Sequence, residues 1–283
     1  MSPTDELTQL GNAAVVLEGA LSLAGAGIIL WLFMSARGRA ARQARLAPWS
    51  LPAIDFGCYA LAGIVGATAL SGFAGLTTKH LHLGPDATTV LGSAVMEGGF
   101  LLGLAIFHRV YSARAGAAAL RPDLGLALKS GAVTFLVAMP LVYLTSNGWE
   151  YLLVRLGLPD EKQELVGILE NTRSLPLKLG FVAVATVLVP IAEELVFRGG
   201  LFRYFRTRFP RWFALLFTCL LFGAPHVDWA NHMAGLPSLA PLVVLAFVFC
   251  LAYEKTGRIG TTIVAHGLFN LNMILLVIAG VGT

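Results

Sequence analysis

Charge is what this sequence has least of. Asp, Glu, Lys and Arg make up 13% of its 283 residues, hydrophobic residues make up 57%, and the mean hydropathy is +0.75. Soluble domains carry about 25% charged residues, so the chain reads as a polytopic membrane protein. Cysteine is scarce as well. Cys58, Cys219 and Cys250 all lie in apolar runs and no CxxC pair occurs, which excludes a disulfide framework and a thiolate metal knuckle. The amino-terminal MSPTDELTQL has no Lys or Arg. It lacks the basic region of a secretory signal, and the first apolar run reads as a retained span. The formal charge of +4 comes from arginines scattered between apolar runs. Such a distribution is a topology signal rather than a nucleic-acid footprint.

What the chain has instead is long apolar runs. Crossing a bilayer takes about 17 to 25 residues, and about eight candidates occur, at 12–34, 52–76, 88–110, 124–145, 177–197, 212–229, 238–254 and 259–280. Their glycines are dispersed and no period-2 alternation appears, so the expected class is an all-α transmembrane bundle of about eight spans. The run at 88–110 is interrupted by Glu97 and several glycines. Connecting segments alternate in charge. Arg37, Arg39, Arg42 and Arg45 occupy the first; Arg109, Arg114 and Arg121 the third; Arg198, Arg203, Arg206, Arg208 and Arg211 the fifth; Lys255 and Arg258 the seventh. The second has only Lys79 and the sixth has no Lys or Arg. By the positive-inside rule this predicts an even number of spans with both termini outside. The fourth segment, 146–176, mixes charges with apolar residues at helical spacing, which predicts amphipathic helices at the outer interface. The organisation that follows is a four-span accessory region, 1–145, and a core, 146–283, with the outer amphipathic segment, in one bundle.

Against this apolar background a few polar residues stand out. AEELVFRG, residues 192–199, follows an uncharged run. On a helix Glu194 and Arg198 are i,i+4 neighbours and can pair. Glu193 is turned by about 100° from Glu194 and has no intrahelical partner. Pro190, just before the pair, removes a backbone donor and is expected to kink the helix. LFGAPH brings Phe222 and His226 to the end of the sixth run, and AHGLFN places His266 and Asn270 on one face of the last. Alone, each has a bland explanation: glutamates flanking a span end, or a histidine bridging two helices. The outer HVDWANH, with His226, Asp228 and His232, reads as a polar loop rather than a metal site. At 1.5 Å per residue, Glu193 lies roughly 15 Å, His226 roughly 21 Å and His266 roughly 10 Å from the cytoplasmic boundary. Three antiparallel helices can therefore gather Glu193, His226, His266 and Asn270 around one cavity, where intramembrane polar residues mark a functional site.

EELVFRG, FGAPH and HGLFN, in that order on separate spans, resemble the EExxxR, FxxxH and HxxxN motifs of the CPBP intramembrane proteases, the family of the type II CAAX prenyl endopeptidases and of bacteriocin-processing and immunity proteins. YEKTGRIGTTIVAHGLFN adds to the likeness, which covers residues 185–272. The resemblance implies a peptide hydrolase in which Glu193 is the general base for a water. His226 orients that water, and His266 and Asn270 stabilise the oxyanion. Glu194, Arg198 and Phe222 would support them. Zinc on His226, His266 and Glu193 is the alternative use of the same residues; a site without metal is favoured. No HExxH, GxSG or GxGD motif occurs, so the zincin helix and other intramembrane protease chemistries lack support. Two rivals remain: a non-catalytic scaffold or immunity protein on the same core, and a transporter. The transporter predicts inverted repeats or charges spread over many spans, and neither is seen. The implied substrate is a membrane protein, lipidated protein or peptide, in a bacterial cytoplasmic membrane.

Overall fold

A computed structural model describes residues 3–41, 43–78, 81–115, 123–158, 174–230 and 233–281. Helices α1 (Pro3–Met34), α2 (Ala36–Ala41), α3 (Ala53–Thr78), α4 (Pro85–Ala115) and α5 (Leu124–Leu156) come first. The rod α6 (Leu175–Arg208), the short α7 (Arg211–Gly223), α8 (Leu236–Thr256) and α9 (Ile259–Ile278) follow. Among the described residues the only β pairing is an isolated bridge between Asp228 and Ala234. The fold is an all-α polytopic bundle, as its composition requires.

Seven of these helices, all but α2 and α7, are long and apolar enough to cross a membrane. The run at 88–110 is one of them despite Glu97. The run at 212–229 is shorter than expected: α7 has 13 residues, roughly 20 Å at 1.5 Å each, against a hydrocarbon core of about 30 Å. Pro225 lies in the single 3-10 turn, Ala224–His226, that stops it. At 146–156 the chain also departs from expectation. It continues α5 as one 33-residue helix, closed by Gly157 with φ of 64°, so the expected division at 145/146 falls inside a helix. Residues 159–173 of the expected amphipathic segment lie outside the described residues, and 175–176 already belong to α6.

Two layers flank α6. On one side α3 and α4 form a tightly packed hairpin: a Cβ on Gly99 would lie 2.5 Å from the Gly66 carbonyl oxygen, so only small residues permit this approach. α4 lies along the first half of α6. On the other side α5 packs against α8, α9 and α1. A core of Phe135, Met139, Leu245, Phe249, Ala265 and Phe269 joins α5, α8 and α9. A second core, with Phe202, Leu215, Phe222 and Tyr253, joins α6, α7 and α8. Leu23 at 76% and Val16 at 72% exposure present an apolar outer surface, as lipid contact demands.

The basic stretch at the end of α6 is tied to the protein. Arg206 and Arg211 both bind the Glu254 carboxylate, at 2.8 and 2.7 Å. Arg203 donates to the carbonyls of Ala47 and Pro48, and Arg208 to that of Leu51. The connector between α2 and α3 is thus strapped across the ends of α6 and α8.

Candidate active site

The rod α6 is not a uniform α-helix. Val184–Leu188 and Leu195–Phe202 are π-helical, and they bracket the short α-helical piece Val189–Glu194 that carries both glutamates. Such insertions are rare and frequent at functional sites. Pro190 cannot supply the amide that an α-helix would offer to the Thr186 carbonyl, four residues back. α9 presses on that same carbonyl: a Cβ on Gly267 would lie 2.5 Å from its oxygen. The glycine next to His266 therefore sets how closely α9 approaches the glutamates.

At this contact the expected side chains meet. Glu194 and Arg198 are both 0% exposed and pair through Oε1 and Nη1 at 2.8 Å, the i,i+4 bridge the spacing predicted. His266 Nδ1 lies 2.9 Å from the same Glu194 oxygen. A carboxylate oxygen only accepts, so Nδ1 carries the proton and donates. The other ring nitrogen, Nε2, lies 3.7 Å from Glu193 Oε2, a close electrostatic approach longer than a hydrogen bond. One imidazole thus joins two carboxylates that are adjacent in the chain and differ in environment: Glu194 is sealed, and Glu193 is 23% exposed.

Phe222 organises the remaining groups. The Arg198 guanidinium lies 4.4 Å from its ring centre, and the ring of Phe249 is 5.3 Å from the same cation. These aromatic faces offset part of the cost of burying the guanidinium, whose Nε and Nη2 have no hydrogen-bond partner in the described protein. The Phe222 carbonyl accepts from His226 Nδ1 at 2.9 Å, which puts the lone pair of that imidazole on Nε2. The Phe222 ring lies 5.4 Å from the His226 ring and 5.9 Å from that of His266, so both histidines flank one phenylalanine.

Asn270, one turn beyond His266, donates through Nδ2 to the Ala185 carbonyl at 2.8 Å, inside the first π segment. One amide proton therefore docks α9 on α6. Glu97, on α4, is close enough to feel the charge of Glu193, and adds a third carboxylate from outside the motif-bearing third of the chain. In the loop after α7 Asp228 Oδ1 accepts from the Ala230 amide, and His232 lies outside the described residues. Among the described residues no three His, Cys, Asp or Glu side chains stand close enough together to hold a metal ion.

Two further polar contacts, to α1 and α3, were not anticipated from the sequence. Asn272, a buried neighbour of the motif, donates to Glu18 on α1 at 2.5 Å. Tyr59 on α3 donates to the Leu195 carbonyl at 2.6 Å. For the first a signal existed: Gly11, Glu18 and Gly25 recur at a spacing of seven, which places them on one helical face. The second had none, since nothing in a tyrosine's local context names its acceptor.

The fold and site define a polytopic membrane protein with a carboxylate–imidazole cluster buried between spans. Comparison with known proteins places that cluster: residues 175–272 match the family described as "Type II CAAX prenyl endopeptidase Rce1-like". The chain is also 30% identical over 122 residues to "Putative membrane peptidase YdiL" of Bacillus subtilis (strain 168), a match covering 42% of this chain and 45% of that protein. The chain thus matches less than half the length of this relative. No solved structure matches the chain. The family resemblance read from the three motifs is borne out over the region that carries them.

Proposed function

We propose that this protein is an intramembrane endopeptidase hydrolysing a peptide bond of a membrane protein, lipidated protein or peptide, with Glu193 as general base. The observation carrying this reading is the division of labour between neighbouring glutamates. Glu194 is fully enclosed and its charge is taken up by Arg198 and His266, while Glu193 is partly exposed and has no bridge to an arginine. A base must be reachable by the water it activates, and of the two only Glu193 is.

In this mechanism Glu193 takes a proton from a water as that oxygen adds to the substrate carbonyl carbon. His226 Nε2 accepts a hydrogen bond from the water's other O–H and orients it. The carbonyl π electrons move to oxygen, giving an oxyanion that the second N–H of Asn270 meets. The proton taken by Glu193 passes to His266 Nε2, 3.7 Å away, so that His266 donates to the oxyanion as well, and it then returns to Glu193. Collapse expels the amine, which takes its proton from Glu193. Donors aimed at an oxyanion in a dry site contribute about 2.7–4 kcal/mol each. Glu194 holds His266 through Nδ1, much as a buried aspartate orients the histidine of a serine protease. We read the site as metal-free, because the arrangement of its residues suits proton transfer and not zinc ligation. The charge alternation of the loops supports a cytoplasmic approach to the site.

The test is to compare uncleaved membrane proteins in cells making the wild-type protein and cells making Glu193→Gln at equal level. Specific full-length membrane proteins should accumulate in the variant. A non-catalytic scaffold on the same core predicts no difference, and that result would overturn the assignment.

A further inference from the structure

The rod α6 is fixed at two places. Glu194 is docked on α9 through His266, at 2.9 Å, and Arg203, Arg206 and Arg208 clamp its far end to residues 47–51 and Glu254. The second π segment, Leu195–Phe202, lies between these fixed points. Each residue of register in an α-helix is worth about 100° of rotation. Were this segment to relax to a regular helix, the clamp and the glutamates could not both keep their partners.

Tyr59 sits on this segment. Its hydroxyl donates to the carbonyl of Leu195, the residue directly after Glu194, at 2.6 Å. Its ring lies against Gly200, where an added Cβ would come within 2.6 Å of Cε1. The ring is held edge-on by Trp49 at 5.7 Å and Phe107 at 5.4 Å. Trp49 belongs to the strapped connector and Phe107 to α4, so Tyr59 joins the hairpin, the connector and the glutamate-bearing helix at one point. A notch cut by a glycine, a half-buried ring and a short hydrogen bond together form a specific fit rather than general apolar packing.

We propose that Tyr59 is a positioning residue for Glu193 and Glu194, holding the π-helical turn that sets their rotation relative to the arginine clamp. It lies outside the family-matched residues 175–272, and gives the α3–α4 hairpin a part in the reaction. The inference rests on the protease reading only for its effect on cleavage.

Two readouts test it, on the full chain in lipid nanodiscs and in cells. In Tyr59→Phe, amide hydrogen exchange should rise about tenfold in residues 195–202, the factor that one hydrogen bond's net worth implies. Exchange in α8 and α9 should be unchanged. Gly200→Ala, which pushes the ring aside, should raise exchange in the same segment. In cells, membrane proteins that accumulate with Glu193→Gln should accumulate to an intermediate level with Tyr59→Phe at equal protein abundance. Unchanged exchange in 195–202, or a rise spread equally over all helices, overturns the brace. A local rise with undiminished cleavage overturns its positioning role. If Glu193→Gln itself causes no accumulation, the protease reading fails while the exchange result still judges the brace.

Discussion

Replacing each glutamate of the pair by glutamine separates the two roles in one experiment. Glu194 and Arg198 are both fully buried and bridged at 2.8 Å. Removing the negative partner strands a guanidinium that already has two nitrogens without a hydrogen bond. Breaking a buried pair costs about 3–5 kcal/mol. Two contacts reduce the loss in Glu194→Gln. The amide oxygen of the introduced side chain still accepts from His266 Nδ1, and the rings of Phe222 and Phe249 still face the cation, each worth about 1–2 kcal/mol in a desolvated place. A net loss of about 2–4 kcal/mol remains, which at roughly 2–4 °C per kcal/mol lowers the unfolding midpoint by about 5–15 °C. Glu193→Gln removes a partly exposed carboxylate with no bridge to an arginine, and should move the midpoint by less than about 2 °C, since changes away from packed or paired groups stay within about 0.5 kcal/mol. Thermal unfolding in detergent, followed by dye labelling of the buried thiols of Cys219 and Cys250, measures both midpoints. Equal shifts, or a larger shift for Glu193→Gln, would refute the division between a structural and a reactive glutamate.

Two further outcomes are expected. Gly267→Leu puts a side chain where a Cβ already meets the Thr186 carbonyl oxygen at 2.5 Å; α9 must move away, and cleavage should fall at least tenfold, since misplacing reacting groups by about 1 Å costs up to about a hundredfold, while the protein is still inserted in membranes. Glu18→Ala leaves the Asn272 amide without its acceptor on α1 at a cost of about 1–3 kcal/mol; the double variant Glu18→Ala/Asn272→Leu should recover part of the lost midpoint, and additivity of the two changes would count against the pairing.

Some of this was written locally in the sequence, and some was not. The scarcity of charge announced the membrane spans, because a segment of about 20 residues without charge has few other fates. The Glu194–Arg198 bridge was legible because it depends only on helical spacing. That His266 would face Glu193 was legible as a matter of depth. That its other nitrogen would grip Glu194 was not, because it depends on the rotation of α9 against α6 across 72 residues of chain. The two π segments were hidden for a similar reason: a one-residue register change leaves no trace in hydrophobic periodicity, and here it is held by side chains from other helices, Asn270 on Ala185 and Tyr59 on Leu195. The short α7 was overestimated because LFGAPHVDW stays apolar across Pro225, and hydropathy does not register the turn.

The same physics explains why the site sits where it does. A proline in a membrane helix leaves the carbonyl four residues back without its α-helical donor, an acceptor that other groups must satisfy. In α6 Pro190 does this to Thr186, and Gly267 of α9 comes up against that carbonyl. In α5 Pro140 does it to Leu136, and Gly25 of α1 takes the equivalent place, where a Cβ would lie 1.8 Å from the oxygen. Proline on one helix and glycine on its neighbour thus mark two of the close backbone approaches between these spans. In each case a polar pair lies nearby on the same two-helix seam or the next: Glu193 with His266, and Glu18 with Asn272. Close approach excludes lipid from the seam, and that makes a buried carboxylate tolerable one to two turns away. Of the two pairs only the first includes a partly exposed carboxylate next to a sealed, neutralised one, and on that difference the proposed activation of water rests.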